Sequence, residues 1–250
     1  MVSEFQRARV SASFRPAFTL VELMVVLAII AALAALITPA LLNARTAARN
    51  AAIKAEIDSL HMALMNYNNE YGSFPPCVDP NPTASGPPIT SAAQAHLKRL
   101  FPRCSTVSGT AGQFQSATAI TPGNALASWL QGYTGNPTSP LSPAADRKRL
   151  FDFDDTRVAG GRYAPPGKPL SPYIYINAAN YAVSGSPAIP VPYVIGTGTY
   201  QAQTRVLASG TVYFNPDTFQ ILCAGLDEQF GTDDDLSNFW KSTRVLAVGQ

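Results

Sequence analysis

Between Asp227 and Asp235 the sequence places five of its sixteen acidic residues: Asp227, Glu228, Asp233, Asp234 and Asp235. Carboxylates crowded this closely repel one another unless a cation sits among them. Oxygen donors in a flexible loop suit Ca2+, which takes about 6 to 8 oxygens and often borrows backbone carbonyls, although the spacing is not that of an EF-hand. A second carboxylate stands out for its isolation. From Phe18 to Leu42 the chain reads FTLVELMVVLAIIAALAALITPALL, 25 residues in which Glu22 alone is charged. A carboxylate held in hydrocarbon costs about 2.5 to 3.5 kcal/mol, so such a residue generally has a polar partner and a function.

Other residues that could carry chemistry lack the neighbours it would need. His61 lies one position from an apolar helical stripe and His96 sits in a short helix, neither beside a nucleophile in sequence. Asp154 and Asp155 read as a solvated loop. Gly161 to Lys168 misses the phosphate-loop glycine spacing by one residue, and Pro169 stands where Ser or Thr is required. Cys77, Cys104 and Cys223 contain no C-x-x-C pair and so no zinc spacing. A disulfide between Cys77 and Cys104, which bracket the short helix, and two buried thiols both fit. No enzymatic constellation emerges.

Bulk charge narrows the partners. Lys and Arg number 18 against 16 Asp and Glu, and residues 18 to 250 balance at 15 of each. Only 14% of residues are charged, against a usual ~25%, which excludes electrostatic nucleic-acid binding as the main activity.

The apolar segment dictates the organisation. As a helix its 25 residues reach about 37 Å, enough to cross a bilayer. No second run of this kind follows, so the remainder is expected on one side of the membrane. A cleaved secretory signal is the plain alternative, but its apolar core usually spans about 7 to 15 residues and would gain nothing from Glu22. Arg7, Arg9 and Arg15 before the segment match Arg45, Arg49 and Lys54 after it, so flanking charge leaves the orientation tied.

FTLVELMVVLAIIAALAALITP resembles the N-terminus of type IV pilins and type II secretion pseudopilins. The resemblance implies a leader at residues 1–17, cut by a prepilin peptidase between Ala17 and Phe18, with Ala17 standing where the family has Gly. It implies N-methylation of Phe18 and a Glu22 carboxylate that pairs with the N-terminal amine of a neighbouring subunit during assembly. Pro39 falls on the family's helix-kinking proline.

Beyond the apolar segment, Ile53, Ile57, Leu60, Leu64, Tyr67 and Tyr71 recur at spacings of 4, 3, 4, 3 and 4, one face of a helix. Gly72 with Pro75 and Pro76 predicts its stop, so one helix is expected from about Phe18 to Tyr71. A further helix is predicted over Ser91 to Phe101, and Ser105 to Gly123 and Thr134 to Pro143, rich in Ser, Thr, Gly, Ala and Pro, are read as a surface insertion with a helical turn over Asn124 to Leu130 between them. Strands are predicted at Tyr173–Ile176, Tyr193–Ile195, Thr211–Phe214 and Phe219–Leu222, the last two joined as a hairpin through Asn215 to Thr218.

The segment GLDEQFG followed by DDDLSNFW is similar to the calcium loop of the major pseudopilin of type II secretion. That similarity implies Asp227, Asp233 and Asp235 as side-chain ligands, the carbonyls of Leu222 and Ala224 completing the sphere, and Asn238 and Trp240 anchoring the exit. Glu228 replaces the family's Gly, Phe239 is inserted before the Trp, and ten residues follow Trp240.

The expected fold is α+β and pilin-like: a long N-terminal helix, half in the membrane and half periplasmic, packed on a small antiparallel sheet. The expected divisions are a leader at 1–17, an assembly helix at 18–42, its periplasmic half at 43–72, a variable region at 73–168 and a sheet with the acidic loop at 169–250. The resemblance implies a non-enzymatic pseudopilus subunit, single-pass in the inner membrane, its leader cytoplasmic before cleavage and its C-terminal domain periplasmic. Implied partners are further copies of itself, minor pseudopilins, the prepilin peptidase and the inner-membrane secretion platform, with no nucleic acid; Ca2+ is the implied cofactor. The alternatives are a type IV pilus or competence pilin and, from another class, a membrane-anchored periplasmic binding module or enzyme.

Overall fold

A computed structural model describes residues 19–77, 91–104, 120–141, 147–167, 171–181, 193–195, 198–207 and 210–244. The chain divides into two compact units between Ala47 and Ala48.

Helix α1 spans Leu20–Tyr71, 52 residues. It opens on a capping box: the Thr19 hydroxyl accepts from the Glu22 amide at 3.2 Å, and Glu22 Oε2 accepts from the Thr19 amide at 3.0 Å and its hydroxyl at 2.8 Å. Pro39 lies inside the helix and supplies no amide to the carbonyl one turn back. The helix ends where Gly72, at φ +74°, takes the left-handed conformation and donates to Asn68 O at 2.7 Å.

In the first unit every residue from Thr19 to Ala47 is exposed, among them Leu20, Leu23, Val26, Ile30, Leu36 and Leu41. Among the described residues this is the helix long and apolar enough to cross a membrane.

The second unit is built on the predicted stripe. Ile53, Ile57, Leu60, Leu64 and Tyr67 are buried, joined by Ala63, and Tyr71 packs at the margin. Against them lies a three-stranded antiparallel sheet in the order β3-β8-β9, formed by β3 (Ile174–Asn177), β8 (Phe219–Cys223) and β9 (Leu236–Ser237). All five residues of β8 are buried, as befits a central strand covered on both faces. The register pairs Ile174 with Leu222 and Leu222 with Ser237. Three two-stranded ladders complete the strands: β1 (Val158–Ala159) with β2 (Arg162–Tyr163), β4 (Tyr193–Ile195) with β5 (Gly198–Tyr200), and β6 (Thr204–Leu207) with β7 (Gly210–Tyr213).

Two expectations are corrected. Thr211–Phe214 does not form a hairpin with Phe219–Leu222: β7 pairs with β6, while β3 and β9 occupy the two edges of β8. Side chains link them, Asn215 Nδ2 donating to Phe219 O at 3.1 Å and Gln220 doing more. Gln220 Oε1 accepts from the Gln203 amide at 2.7 Å, and its Nε2 donates to Gln203 O at 2.9 Å and Phe214 O at 2.8 Å. Nor is the middle of the chain a surface insertion over its described part. Helix α3 (Ala125–Leu130) brings Leu126, Trp129 and Leu130 into the core, where Trp129 Nε1 donates to Pro76 O at 2.9 Å, and α2 (Ser91–Leu100), the helix predicted before it, adds Ala93 and Leu97. Segments 78–90 and 105–119 lie outside the described residues.

Candidate functional site

Two stretches carry the residues singled out by the sequence. At the N-terminus, Ala17 and Phe18 lie outside the described residues. Glu22 sits in the first turn of α1 with Thr19 as its partner, and Pro39 lies further along the same exposed helical segment.

The acidic loop leaves β8 at Ala224 and returns through Asp235 into β9. Its centre is held by Asp234, one of the five crowded acids but outside the ligand set that the resemblance implies. Asp234 Oδ2 accepts from the amides of Leu226 at 2.6 Å and Asp227 at 3.1 Å, and Oδ1 accepts from the Thr232 hydroxyl at 2.8 Å. Gly225, at φ +63°, makes room for this: a Cβ there would collide with the backbone oxygen and the carboxylate of Asp234. Glu228 also has positive φ, +62°. This is the position where the resembled loop has Gly, the residue for which that conformation is not strained.

The three carboxylates named as ligands are dispersed. Asp227 Oδ1 accepts from the Gln229 amide at 2.7 Å, and Asp227 and Asp233 are both exposed. Asp235 is buried; its Oδ2 accepts from the Gly231 amide at 2.8 Å and lies 3.8 Å from Arg244. Its Oδ1 is buried without a hydrogen-bond partner. Burial, with the neighbouring charges of Asp234 and Asp227, pushes its carboxyl up to about 6 against the pull of the Gly231 amide and Arg244. Leu222 lies within the β ladder, registered against Ile174 and Ser237, and Ala224 is buried beyond the strand. No three of these acids, nor any other three His, Cys, Asp or Glu among the described residues, converge as a ready-made metal cluster. Among the described residues, Asp235 Oδ1 is the oxygen of the set that is both buried and without a hydrogen-bond partner.

The exit of the loop is tied to both sheet and helix. Asn238 Oδ1 accepts from the Ile221 amide at 2.9 Å, its Nδ2 donates to His61 Nδ1 at 3.1 Å, and Lys54 Nζ donates to Ser237 O at 3.1 Å. Trp240 is buried and its amide donates to the Ser237 hydroxyl at 3.0 Å. His61 packs at a tilt on Phe219 at 5.0 Å, and His96 lies beside Trp129 at 5.2 Å with its Nε2 2.7 Å from the Tyr67 hydroxyl, so both histidines serve the packing of the second unit.

Cys77, Cys104 and Cys223 are buried thiols, so of the two arrangements open for Cys77 and Cys104 the structure holds the unbridged one. Cys77 Sγ accepts from the Asn177 amide at 3.2 Å and donates to Asn180 Oδ1 at 3.3 Å.

A polar cluster without any local signal in sequence lies on the buried side of α1. Glu56 pairs with Arg157, 101 positions away, through both carboxylate oxygens, and accepts from the hydroxyls of Tyr163 and Tyr173 at 2.5 Å each. Burial works to raise the Glu56 carboxyl, but Arg157 and the two phenols together hold it below its usual value.

Residues 15–38 match the family described as the prokaryotic N-terminal methylation motif. Comparison with curated proteins and with solved structures finds no match to the chain. The motif covers the apolar segment, Glu22 and the start of α1, and the remainder is an α+β arrangement of that long helix with small antiparallel sheets. The chain therefore carries, on a pilin-like fold, the N-terminal hallmark of the prepilin-processed, type IV pilin-like proteins.

Proposed function

We propose that the protein is a structural subunit, of the major-pseudopilin kind, of a type II secretion pseudopilus. The observation that carries this reading is the methylation motif at residues 15–38 with Glu22 alone in its apolar run. A prepilin peptidase cuts between Ala17 and Phe18 and methylates the new amine, and the subunit polymerises through its N-terminal helix to support protein export. Glu22 meets the cationic amine of the neighbouring subunit, so that two charges costly in lipid neutralise each other. Its setting is single-pass in the inner membrane, with the second unit periplasmic and minor pseudopilins and the secretion platform as partners. The chain works by polymerisation and is not an enzyme.

Two observations favour a pseudopilus over a pilus subunit: the acidic loop ending in Asn238 and Trp240, and Cys223 as a buried thiol where pilus subunits tend to have a C-terminal disulfide. Calcium is part of this reading. Asp235 would hold it through the unpartnered Oδ1, with Asp227 and Asp233 as the further carboxylates and the carbonyls of Leu222 and Ala224 as backbone donors. The ion would add to the positive charge that Arg244 already brings to the loop's carboxylates.

The decisive measurement is the N-terminal residue and mass of protein recovered from membranes. N-methyl-Phe18 is expected; an N-terminus near Arg45 would show an ordinary secreted protein and end the filament reading. For the loop, chelation is expected to lower the melting temperature, and an unchanged value would remove calcium from the account.

A further inference from the structure

One strand of the second unit is written twice in the sequence. Thr204 to Gly210 read TRVLASG and Thr243 to Gly249 read TRVLAVG, the same residue at six of seven positions. The first of these stretches forms β6, which is paired with β7: Arg205 stands opposite Val212, Val206 opposite Thr211 and Leu207 opposite Gly210. Among the described residues the two strands form a sheet of their own, so β7 accepts this sequence along one edge and has a second edge with no strand on it. All four residues of β6 are exposed, Val206 at 84%, as are Gly210 and Thr211 of β7. An open edge of this kind is a template for a further strand.

The ladder shows which backbone groups that edge offers. The Phe214 amide donates to Gln203 O at 3.1 Å, which makes Gln203 and Phe214 a hydrogen-bonding pair. Bonding and non-bonding pairs alternate along antiparallel strands, so Arg205 and Val212 bond each other while Thr211 and Tyr213 turn their amides and carbonyls to the outer edge of β7. A strand laid there in the register of β6 puts Thr243 against Tyr213 and Val245 against Thr211, and the amide of Arg244 between them points away from β7. That amide has its own partner, the Asp235 carbonyl oxygen of the same chain at 2.9 Å. Thr243 and Arg244 are described and form no ladder with their own Tyr213 and Val212; residues 245–250 lie outside the described residues.

We propose that residues 243–249 of one copy add as a third strand to the outer edge of β7 in a second copy of this chain. Main-chain hydrogen bonds to Thr211 and Tyr213 supply the grip and the alternating side chains set the register. Segment and edge are different surfaces, so the contact is head-to-tail, the kind that builds an open filament. The proposal rests on the filament reading and adds which backbone edge each subunit offers and which segment fills it.

The test uses the full-length protein in membranes, with Thr211→Cys and Val245→Cys expressed on separate chains and then oxidised. A hydrogen-bonded pair holds its Cα atoms about 5.5 Å apart, within the span of a disulfide, so a linked dimer is expected when both variants are present. A dimer from either variant alone would reveal a symmetric contact and overturn the proposal. With both substitutions in one chain a ladder of linked multimers is expected; a monomer closed on itself would place the segment on its own hairpin and overturn the contact between copies. In amine-cross-linked membranes, Val245→Pro removes an amide that the pairing uses and should reduce the multimer ladder about tenfold, while Leu246→Pro removes one that faces away and should leave it. Equal ladders from the two variants count against strand addition. A wild-type protein that forms no multimers overturns both this contact and the filament reading. One that multimerises while the mixed cysteine pair stays monomeric overturns the contact alone.

Discussion

Two glutamates on one helix stand in opposite circumstances. Glu56 is enclosed, and the chain itself brings Arg157, Tyr163 and Tyr173 to it from more than a hundred residues away. Glu22 has Thr19, in its own turn, as its hydrogen-bond partner. The apolar residues follow the same division: Ile57, Leu60 and Leu64 are buried, whereas Leu23, Leu27 and Ile30 are exposed. Identical secondary structure thus serves two environments. From Ala48 onward the chain supplies its own solvent, and before that point both the apolar phase and the counter-charge must come from outside.

The sharpest way to break this contrast is to truncate one leucine in each stretch. Leu60→Ala should cost about 3 to 4 kcal/mol of stability by leaving a cavity, while Leu27→Ala should leave the unfolding of the second unit unchanged; thermal denaturation of the full chain in detergent reads both. Equal losses would show that the two stretches share one folding reaction. Next are the glutamates. Glu56→Gln should cost about 2 to 3 kcal/mol at neutral pH, because Arg157 loses its enclosed counter-charge and keeps only the half-exposed Asp154. Glu56 is held below its usual value in the folded state, so its contribution is complete above the unfolded value and fades as pH falls through the acid range. The wild type should therefore lose stability on acidification more steeply than the variant. Glu22→Gln should leave the melting transition alone and abolish multimers seen by cross-linking.

Smaller effects refine the picture. Glu228→Gly should stabilise the second unit by about 1 kcal/mol, because φ +62° strains any residue with a Cβ; urea unfolding midpoints check it. Asp58→Asn breaks an ion pair with Lys54 at 2.6 Å, but Asp58 is 58% exposed, so the change should stay within about 0.5 kcal/mol and vanish in high salt.

How far these features were legible depended on the range of the interaction that sets them. The α1 stripe, its stop at Gly72, α2, the turn after Asn124 and strands β3 and β8 all announce themselves through local period or punctuation. The false hairpin arose because Gln220 bonds to the neighbouring backbone with its side chain, and a glutamine in a strand carries no mark of that use. The core role of Leu126, Trp129 and Leu130 was hidden by the Ser, Thr, Gly and Pro around them. Asp234 was seen in the acidic cluster but given no role of its own, because the resemblance pointed to its neighbours on both sides. Glu56 and Arg157 have no local signal, since only folding makes residues 101 positions apart into a pair.

The burial of Trp129 and Trp240 has an optical consequence. The chain has two tryptophans, both buried and both in the unit that begins at Ala48. Intrinsic emission therefore reports on that unit and is silent about residues 20 to 47. Beside Trp129, burial and the charge of Arg99 push His96 down to about 4, so no imidazolium forms there to quench Trp129 near neutrality. A blue-shifted emission that persists as the protein moves from detergent into vesicles would thus follow the folded unit through membrane insertion without a label.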